Sequence, residues 1–311
     1  MAQLFEHFYI ERYRPQTLDE IVLSERVKQE MLKCKAEKEI PHLLFVSGPG
    51  QGKTTLAKII VKDLLDCTYL YINASDENGI DTVRAKVTEF ARTKSIDGKI
   101  KVVILDEADF LSKEAQGALR NLMEEYASNT RFILTANYAY RIITPLQSRC
   151  QSYDINPPLE GVVSKVVDIL KKEKIQVESG QKEKLLSLIR NNYPDVRKII
   201  NLVQKNITDG KLDIHTPAIG LDFAETIIDK TIKDKQDVTA IRRYIIENDS
   251  KYNKDYHGLL KDMFNVVDEK IELSDKKRKY LLVLTEHMYR HTFVMDPEIN
   301  CYAAVIALQN I

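Results

Sequence analysis

The chain has 311 residues, with 46 Lys and Arg balanced by 46 Asp and Glu, so its formal net charge is zero. Hydrophobic residues make up 44% and charged residues 30%, and no apolar run approaches the ~20 residues that cross a bilayer, which excludes a helical membrane protein and a disordered chain. Zero net charge also excludes polyanion binding through whole-chain charge, so any such contact needs basic residues gathered on one face.

Met1-Ala2-Gln3-Leu4-Phe5-Glu6-His7 has no basic segment followed by an apolar one, so no secretory signal is expected and the expected location is cytoplasmic. Four apolar runs then read as buried strands: 43–46, 69–72, 102–105 and 131–134. Helical spacing lies between them, as at Ile80, Val83, Val87 and Phe90, or Ala115, Leu119, Leu122 and Met123. This alternation predicts an α/β fold with a parallel sheet covered on both faces. Past Pro157-Pro158 no strand is expected, and amphipathic helices are predicted over 162–170, 182–189 and 195–203. Longer helices follow over 238–246, 259–267, 278–291 and 299–311. The expected organisation is an α/β domain at 1–158, a small helical lid at 159–221 and a helical C-terminal domain at 222–311. Cys34, Cys67, Cys150 and Cys301 are widely spaced, which predicts free thiols rather than a zinc site or a disulfide framework.

Directly after the first strand comes Ser47-Gly48-Pro49-Gly50-Gln51-Gly52-Lys53-Thr54-Thr55, and then an apolar-periodic helix. Strand, glycine-rich loop and helix form the context for a triphosphate: glycines let backbone N–H groups turn inward, and the positive end of the helix lies beneath. Lys53 would reach the β and γ phosphates, and the Thr54 hydroxyl would ligate Mg²⁺. The strict phosphate-loop pattern has Gly where Ser47 stands, a mild departure. The third strand ends in Asp106-Glu107-Ala108-Asp109, which in a parallel sheet emerges at the same edge as the loop. Asp106 would hold the hydrated Mg²⁺, and Glu107 would orient and deprotonate the attacking water. The literal Asp-Glu-Ala-Asp string also suggests a DEAD-box helicase, but the helical C-terminal half leaves no room for a second α/β domain. The fourth strand ends in Thr135-Ala136-Asn137, which places the Asn137 amide beside the γ phosphate.

These motifs, together with Glu11-Arg12-Tyr13-Arg14-Pro15, Asn73-Ala74-Ser75-Asp76, Leu119-Arg120-Asn121-Leu122 and Ser148-Arg149-Cys150, resemble an AAA+ ATPase of the clamp-loader type. The family is that of replication factor C small subunits and their phage counterparts. The resemblance is nearly continuous over 9–155, weaker through Pro194–Lys198 and architectural beyond about 220. It implies a five-stranded parallel sheet, a helical lid and an all-helical collar used for oligomerisation. It also implies an ATP- and Mg²⁺-dependent hydrolase that works in a pentameric assembly with other clamp-loader subunits. That assembly opens a sliding clamp and places it on primer–template DNA, serving the polymerase only indirectly, with no membrane involved.

By the same resemblance Tyr13, Arg14 and Pro15 line the adenine pocket, and Gly48, Pro49, Gly50, Gln51, Gly52, Lys53, Thr54 and Thr55 hold the phosphates. Asn137 is the first sensor and Arg197 the second, and Arg149 is an arginine finger acting on a neighbour's ATP. Gln116 and Arg120, four apart on one helix, would couple adjacent subunits. Arg84, Lys86 and Lys113 are candidates for phosphate tracking along DNA. Thr93–Ile96 is a candidate clamp contact. Where the family usually carries Arg or Lys after Asn-Ala-Ser-Asp-x, this chain has Asn78, which is expected to restrain Glu107 less strongly than a cation would. The absence of zinc cysteines, and Val22-Leu23-Ser24 where cellular relatives carry Val-Gly-Gln, point to a phage-encoded homologue, which would place it in a host cytoplasm. Two further readings stay open: another AAA+ motor such as a branch-migration helicase, and a non-catalytic scaffold subunit.

Overall fold

The computed structural model describes residues 8–76, 79–93, 98–214, 219–249, 252, 254–291 and 293–311. These fall into two compact units, Met1–Ile214 and His215–Ile311.

In the first unit, five strands form one parallel sheet: β1 (Leu43–Val46), β2 (Tyr69–Asn73), β3 (Lys101–Asp106), β4 (Thr130–Ala136) and β5 (Gln151–Asp154), in the spatial order β2-β3-β4-β1-β5. Every residue of β3 is buried, as expected of a strand covered on both faces. The pleat sorts alternate side chains into two cores. Leu43, Phe45, Val102, Ile104 and Ile133 face one side, where they meet α2 (Glu25–Glu37) and α3 (Lys53–Ile59), the latter continued by a π-helical turn, Ile60–Leu64. Leu44, Val103, Leu105, Phe132 and Leu134 face the other, against α4 (Ile80–Arg92) and α5 (Lys113–Glu125). A short α1 (Tyr9–Arg12) precedes these elements, and α6 (Thr144–Gln147) leads into β5.

The fifth strand, Gln151-Ser152-Tyr153-Asp154, buries only Tyr153, so its composition carries no apolar run. Its pairing with β1, Leu43 opposite Gln151 through Val46 opposite Asp154, comes from the sheet and not from strand propensity.

The lid consists of α7 (Leu159–Lys172), α8 (Ser179–Asn192) and α9 (Val196–Lys205), and it shares the first unit with the sheet. Its core is Val162, Val166, Leu185, Ile189, Ile199 and Val203. The expectation of no strand beyond Pro158 is corrected here, because β6 (Ile207–Thr208) and β7 (Lys211–Leu212) form a small antiparallel ribbon. The turn between them is Asp209-Gly210, both at positive φ (50° and 75°), which is the backbone that a two-residue hairpin requires.

The second unit is helical: α10 (Ile219–Ile228), α11 (Val238–Glu247), α12 (Tyr256–Lys270), α13 (Asp275–His291) and α14 (Pro297–Gln309). Phe223, Leu260, Met263, Val267, Leu284 and Val305 are among its buried residues. Asp237, Asp255 and Asp296 cap α11, α12 and α14 with side-chain carboxylates, each such cap stabilising its helix by about 1 kcal/mol.

Candidate functional site

The strand order sets β3, β4 and β1 side by side, so Asp106, Asn137 and the loop after Val46 emerge at one edge of the sheet. Gly50 and Gly52 adopt φ of 72° and 99°, left-handed values that allow the loop to curl over the N-terminus of α3. Lys53 starts that helix and is only 8% exposed. Its ammonium donates to the carbonyls of Ser47 and Gly48 and to Asn137 Oδ1, each at 2.8 Å. Desolvation holds its pKa below the usual lysine value, opposed by the nearby charges of Asp106, Asp109 and Glu107.

Asp106, 7% exposed, accepts three hydroxyls. Thr54 Oγ1 lies 2.7 Å from Oδ1 and 3.0 Å from Oδ2, Thr135 Oγ1 is 2.6 Å from Oδ1, and the Tyr71 hydroxyl is 2.7 Å from Oδ2. Glu107 sits at φ 55°, ψ 42°, a left-handed conformation costly for a non-glycine residue, with its N–H donated to Thr135 Oγ1 at 3.0 Å. That backbone turn brings the Glu107 side chain to the wall of a polar cleft that also includes Thr54, Asn137 and Arg197. Asp109 accepts from the Asn137 N–H at 3.3 Å through Oδ2, tying the two strand ends together.

The lid contributes Arg197. Its N–H meets the Gly50 carbonyl at 3.4 Å, and the adjacent Asp195 caps α9 by accepting from the Lys198 N–H at 2.9 Å. The contact at Gly50 is close: a Cβ there would lie 1.9 Å from Asp195 Oδ1. Beside the polar cleft, and sharing Gly50, Gly52, Thr55 and Arg197 with it, an apolar cleft is lined by Tyr13, Arg14, Pro15, Ile21, Val22 and Ile200. Tyr13 is held from behind, its hydroxyl donating to Glu173 Oε1 at 2.6 Å; Arg12 donates to the same oxygen at 2.5 Å. These bonds hold the Glu173 carboxyl below its ordinary pKa.

An apolar cleft joined to a glycine cradle with a lysine can take a base at one end and phosphates at the other. Among the described residues no group of three or more His, Cys, Asp or Glu could hold a metal by itself. The buried Asp106 carboxylate with the adjacent Thr54 hydroxyl fits Mg²⁺, an oxygen-seeking ion usually bound by one or two protein oxygens together with phosphates.

The sequence-predicted residues Tyr13, Arg14, Pro15, Gly48–Thr55, Asp106, Glu107, Asn137 and Arg197 are therefore brought together. Arg149 is not among them. It lies two residues before β5, whose first residue pairs with Leu43 at the amino end of β1, so the length of β1, about 13 Å, separates it from the loop after Val46. Its guanidinium is bound to Glu124, with Nε at 2.7 Å, and to the Pro145 carbonyl at 2.8 Å. Gln116 does not share an exposed face with Arg120. It is 1% exposed and fully engaged within the chain, donating to the Leu111 and Arg141 carbonyls at 3.1 Å each and accepting from the Ile143 N–H at 2.8 Å. The expected shared face is thereby corrected: the Gln116 side chain is an internal tie, whereas Arg120 is half-buried and donates to Asn121. Arg84, Lys86 and Lys113 are exposed, and the groove at Arg84 also carries Asp81 and Glu89, so it is mixed in charge. Asn78 and Lys94–Ile96 lie outside the described residues.

Sequence reasoning missed Tyr71, Thr135, Glu173 and Asp195. Thr135 could have been found from its position two residues before Asn137 on a strand adjoining β3; nothing local marks Tyr71.

Residues 43–156 match the family model described as the ATPase family associated with various cellular activities (AAA). The chain is 42% identical over 217 residues to a replication factor C small subunit of Sulfolobus acidocaldarius, covering 68% of this chain and 66% of that protein. It is 43% identical over 215 residues to that of Staphylothermus marinus (67% and 64%), and 44% over 216 residues to that of Saccharolobus solfataricus (67% and 64%). The matched region thus spans just under two thirds of these relatives. Two structures of Thermotoga maritima RuvB mutants share the fold, with TM-scores of 0.55 and 0.52 at 17% and 18% identity, covering 75% of this chain and 85% of theirs. The fold is that of AAA+ ATPases, and residues 43–156 form its AAA domain.

Proposed function

We propose that this chain, which carries an AAA ATPase domain and is similar to replication factor C small subunits, is an ATP-hydrolysing subunit of a sliding-clamp loader. ATP binding would drive clamp opening and the grip on primer–template DNA, and hydrolysis would release the closed clamp. In the site, the apolar cleft at Tyr13 and Pro15 takes the base, and Gly48–Thr55 with Lys53 holds the phosphates. When bound, Mg²⁺ would supply positive charge across the β and γ phosphates, held by Thr54 and Asp106. Glu107 accepts the proton of the attacking water, Asn137 aligns that water, and Arg197 carries the state of the phosphates to the lid.

The observation that carries this reading is the separation of Arg149 from its own chain's phosphate loop. An arginine at the opposite end of the sheet cannot touch its own nucleotide, which supports a role for it at a site on an adjoining subunit, with the assembly as part of the active site. The test is ATP turnover by the purified chain, alone and with its partner subunits, primed DNA and the clamp from the same genome. Turnover per chain should rise with protein concentration and rise again with DNA and clamp. Full-speed hydrolysis by an isolated monomer would overturn the reading.

A further inference from the structure

The nucleotide reading accounts for Thr54 and Asp106 but leaves Tyr71 without a task. Tyr71 lies on β2, the edge strand of the sheet, with Ile104 as its β3 partner; Asn73 is the partner of Asp106. Residues paired across a parallel sheet share a face, and those two apart along a strand share it too, so Tyr71 and Asp106 project toward the same side. The phenol spans the one pleat step between them and donates to Asp106 Oδ2 at 2.7 Å. Lys58 of α3 stands over its ring, 4.6 Å from the centroid, fixing the ring from the other side.

A carboxylate offers about four lone-pair positions. Thr135 takes one on Oδ1, Tyr71 takes one on Oδ2, and Thr54 takes a third while leaving its own oxygen lone pairs for a cation. One position then remains to accept from a water of a hydrated ion. Without Tyr71 two remain, and the carboxylate can turn between them. Tyr71 is 37% exposed, whereas the Asp106 it binds is 7% exposed.

We propose that Tyr71 is a positioning residue for the metal–nucleotide complex: its hydroxyl fixes the rotation of the Asp106 carboxylate and thereby sets the affinity for divalent cation, with no direct role toward the nucleotide. This rests on the nucleotide-binding part of the proposed function. Partners that orient a metal-binding carboxylate typically change metal affinity by 10–100-fold when removed.

The experiment uses the full chain and a slowly hydrolysed fluorescent ATP analogue, titrated first in chelator and then with Mg²⁺ at saturating nucleotide. Tyr71→Phe should raise the half-saturating Mg²⁺ concentration about tenfold and leave affinity in chelator unchanged. Tyr69→Phe, on the same strand but half-buried against the core, should move neither. An unchanged Mg²⁺ midpoint in Tyr71→Phe overturns the assignment. So does an equal loss of affinity in chelator, or an equal shift in Tyr69→Phe, since either marks a general effect on the edge strand. A wild-type chain that binds no nucleotide overturns this assignment and the nucleotide site together.

Discussion

At the carboxyl ends of the strands, Lys53 and Asp106 are surrounded by neutral groups: carbonyls and an amide around the ammonium, three hydroxyls around the carboxylate. At the amino ends two arginines close on carboxylates instead. Arg149 binds Glu124, and Arg131 binds Glu39 at 2.8 Å and the Ile40 carbonyl at 2.9 Å. Neutral partners orient a charge without cancelling it, so the carboxyl edge keeps an electric field that a phosphate and its counter-ion can complete. Arg149 and Arg131 are held there by internal ion pairs, so Arg149 would have to exchange Glu124 for another anion to act elsewhere. Under the proposed function the carboxyl edge would be a receptive end and the Arg149 edge a donating end, an arrangement that suits head-to-tail association of subunits.

The sharpest way to break this comparison is Arg149→Ala. If the donating edge completes a neighbour's site, the variant should lose roughly 10³–10⁵ in hydrolysis rate while its own nucleotide affinity holds. Mixed with wild-type subunits, it should depress turnover beyond simple dilution. Inhibition in strict proportion to dilution would return Arg149 to a structural pairing role.

At the receptive edge, Gly50→Ala tests whether the lid rests on the phosphate loop. The substitution puts a Cβ at φ 72° and against Asp195, so it should cost about 1–2 kcal/mol of strain and force the N-terminus of α9 away. Calorimetry should show a Tm lower by several degrees, with weakened nucleotide binding. Unchanged binding would mean that Arg197 need not sit on the loop.

The smallest effect at neutral pH is expected at the amino edge, where His42 precedes β1. Burial and the neighbouring Arg131 charge hold its pKa down to about 4, and its Nδ1 accepts from the Phe132 N–H at 3.1 Å, a bond that only the neutral ring can make. A folded pKa below the unfolded value of 6.5 means that the unfolded chain takes up the proton first. The contribution is thus complete above pH 6.5 and lost as pH falls toward 4. Its ceiling is about 3 kcal/mol, reduced by solvent at this half-buried ring. His42→Asn should flatten the decline in Tm over that window; an identical pH profile would remove His42 as its source.

Most of this architecture was legible because it follows from local periodicity. The buried β1 and β3 runs, the glycine loop and the acidic strand end each carry their signal within a few residues. β5 did not, since Gln151, Ser152 and Asp154 are exposed and only the sheet makes them a strand. The same limit applies to side chains. Gln116 reads as surface from its helical spacing with Arg120, yet it is drawn inward by the nearby Leu111 carbonyl and by two backbone groups far away in sequence, at Arg141 and Ile143. Tyr71 and Glu173 are ordinary residues until the pairing of β2 with β3, and of the N-terminal segment with α7, puts a partner before them.

Lys101 begins β3, 4% exposed, with its ammonium over the Phe90 ring and bound to the Thr93 carbonyl and hydroxyl at 2.8 and 2.7 Å, at the end of α4. A reagent that acylates surface amines meets this group only in molecules where that helix end has come loose. In a lysine-rich protein, Lys101 is thus a silent reporter, and its rate of modification would clock the breathing of that corner.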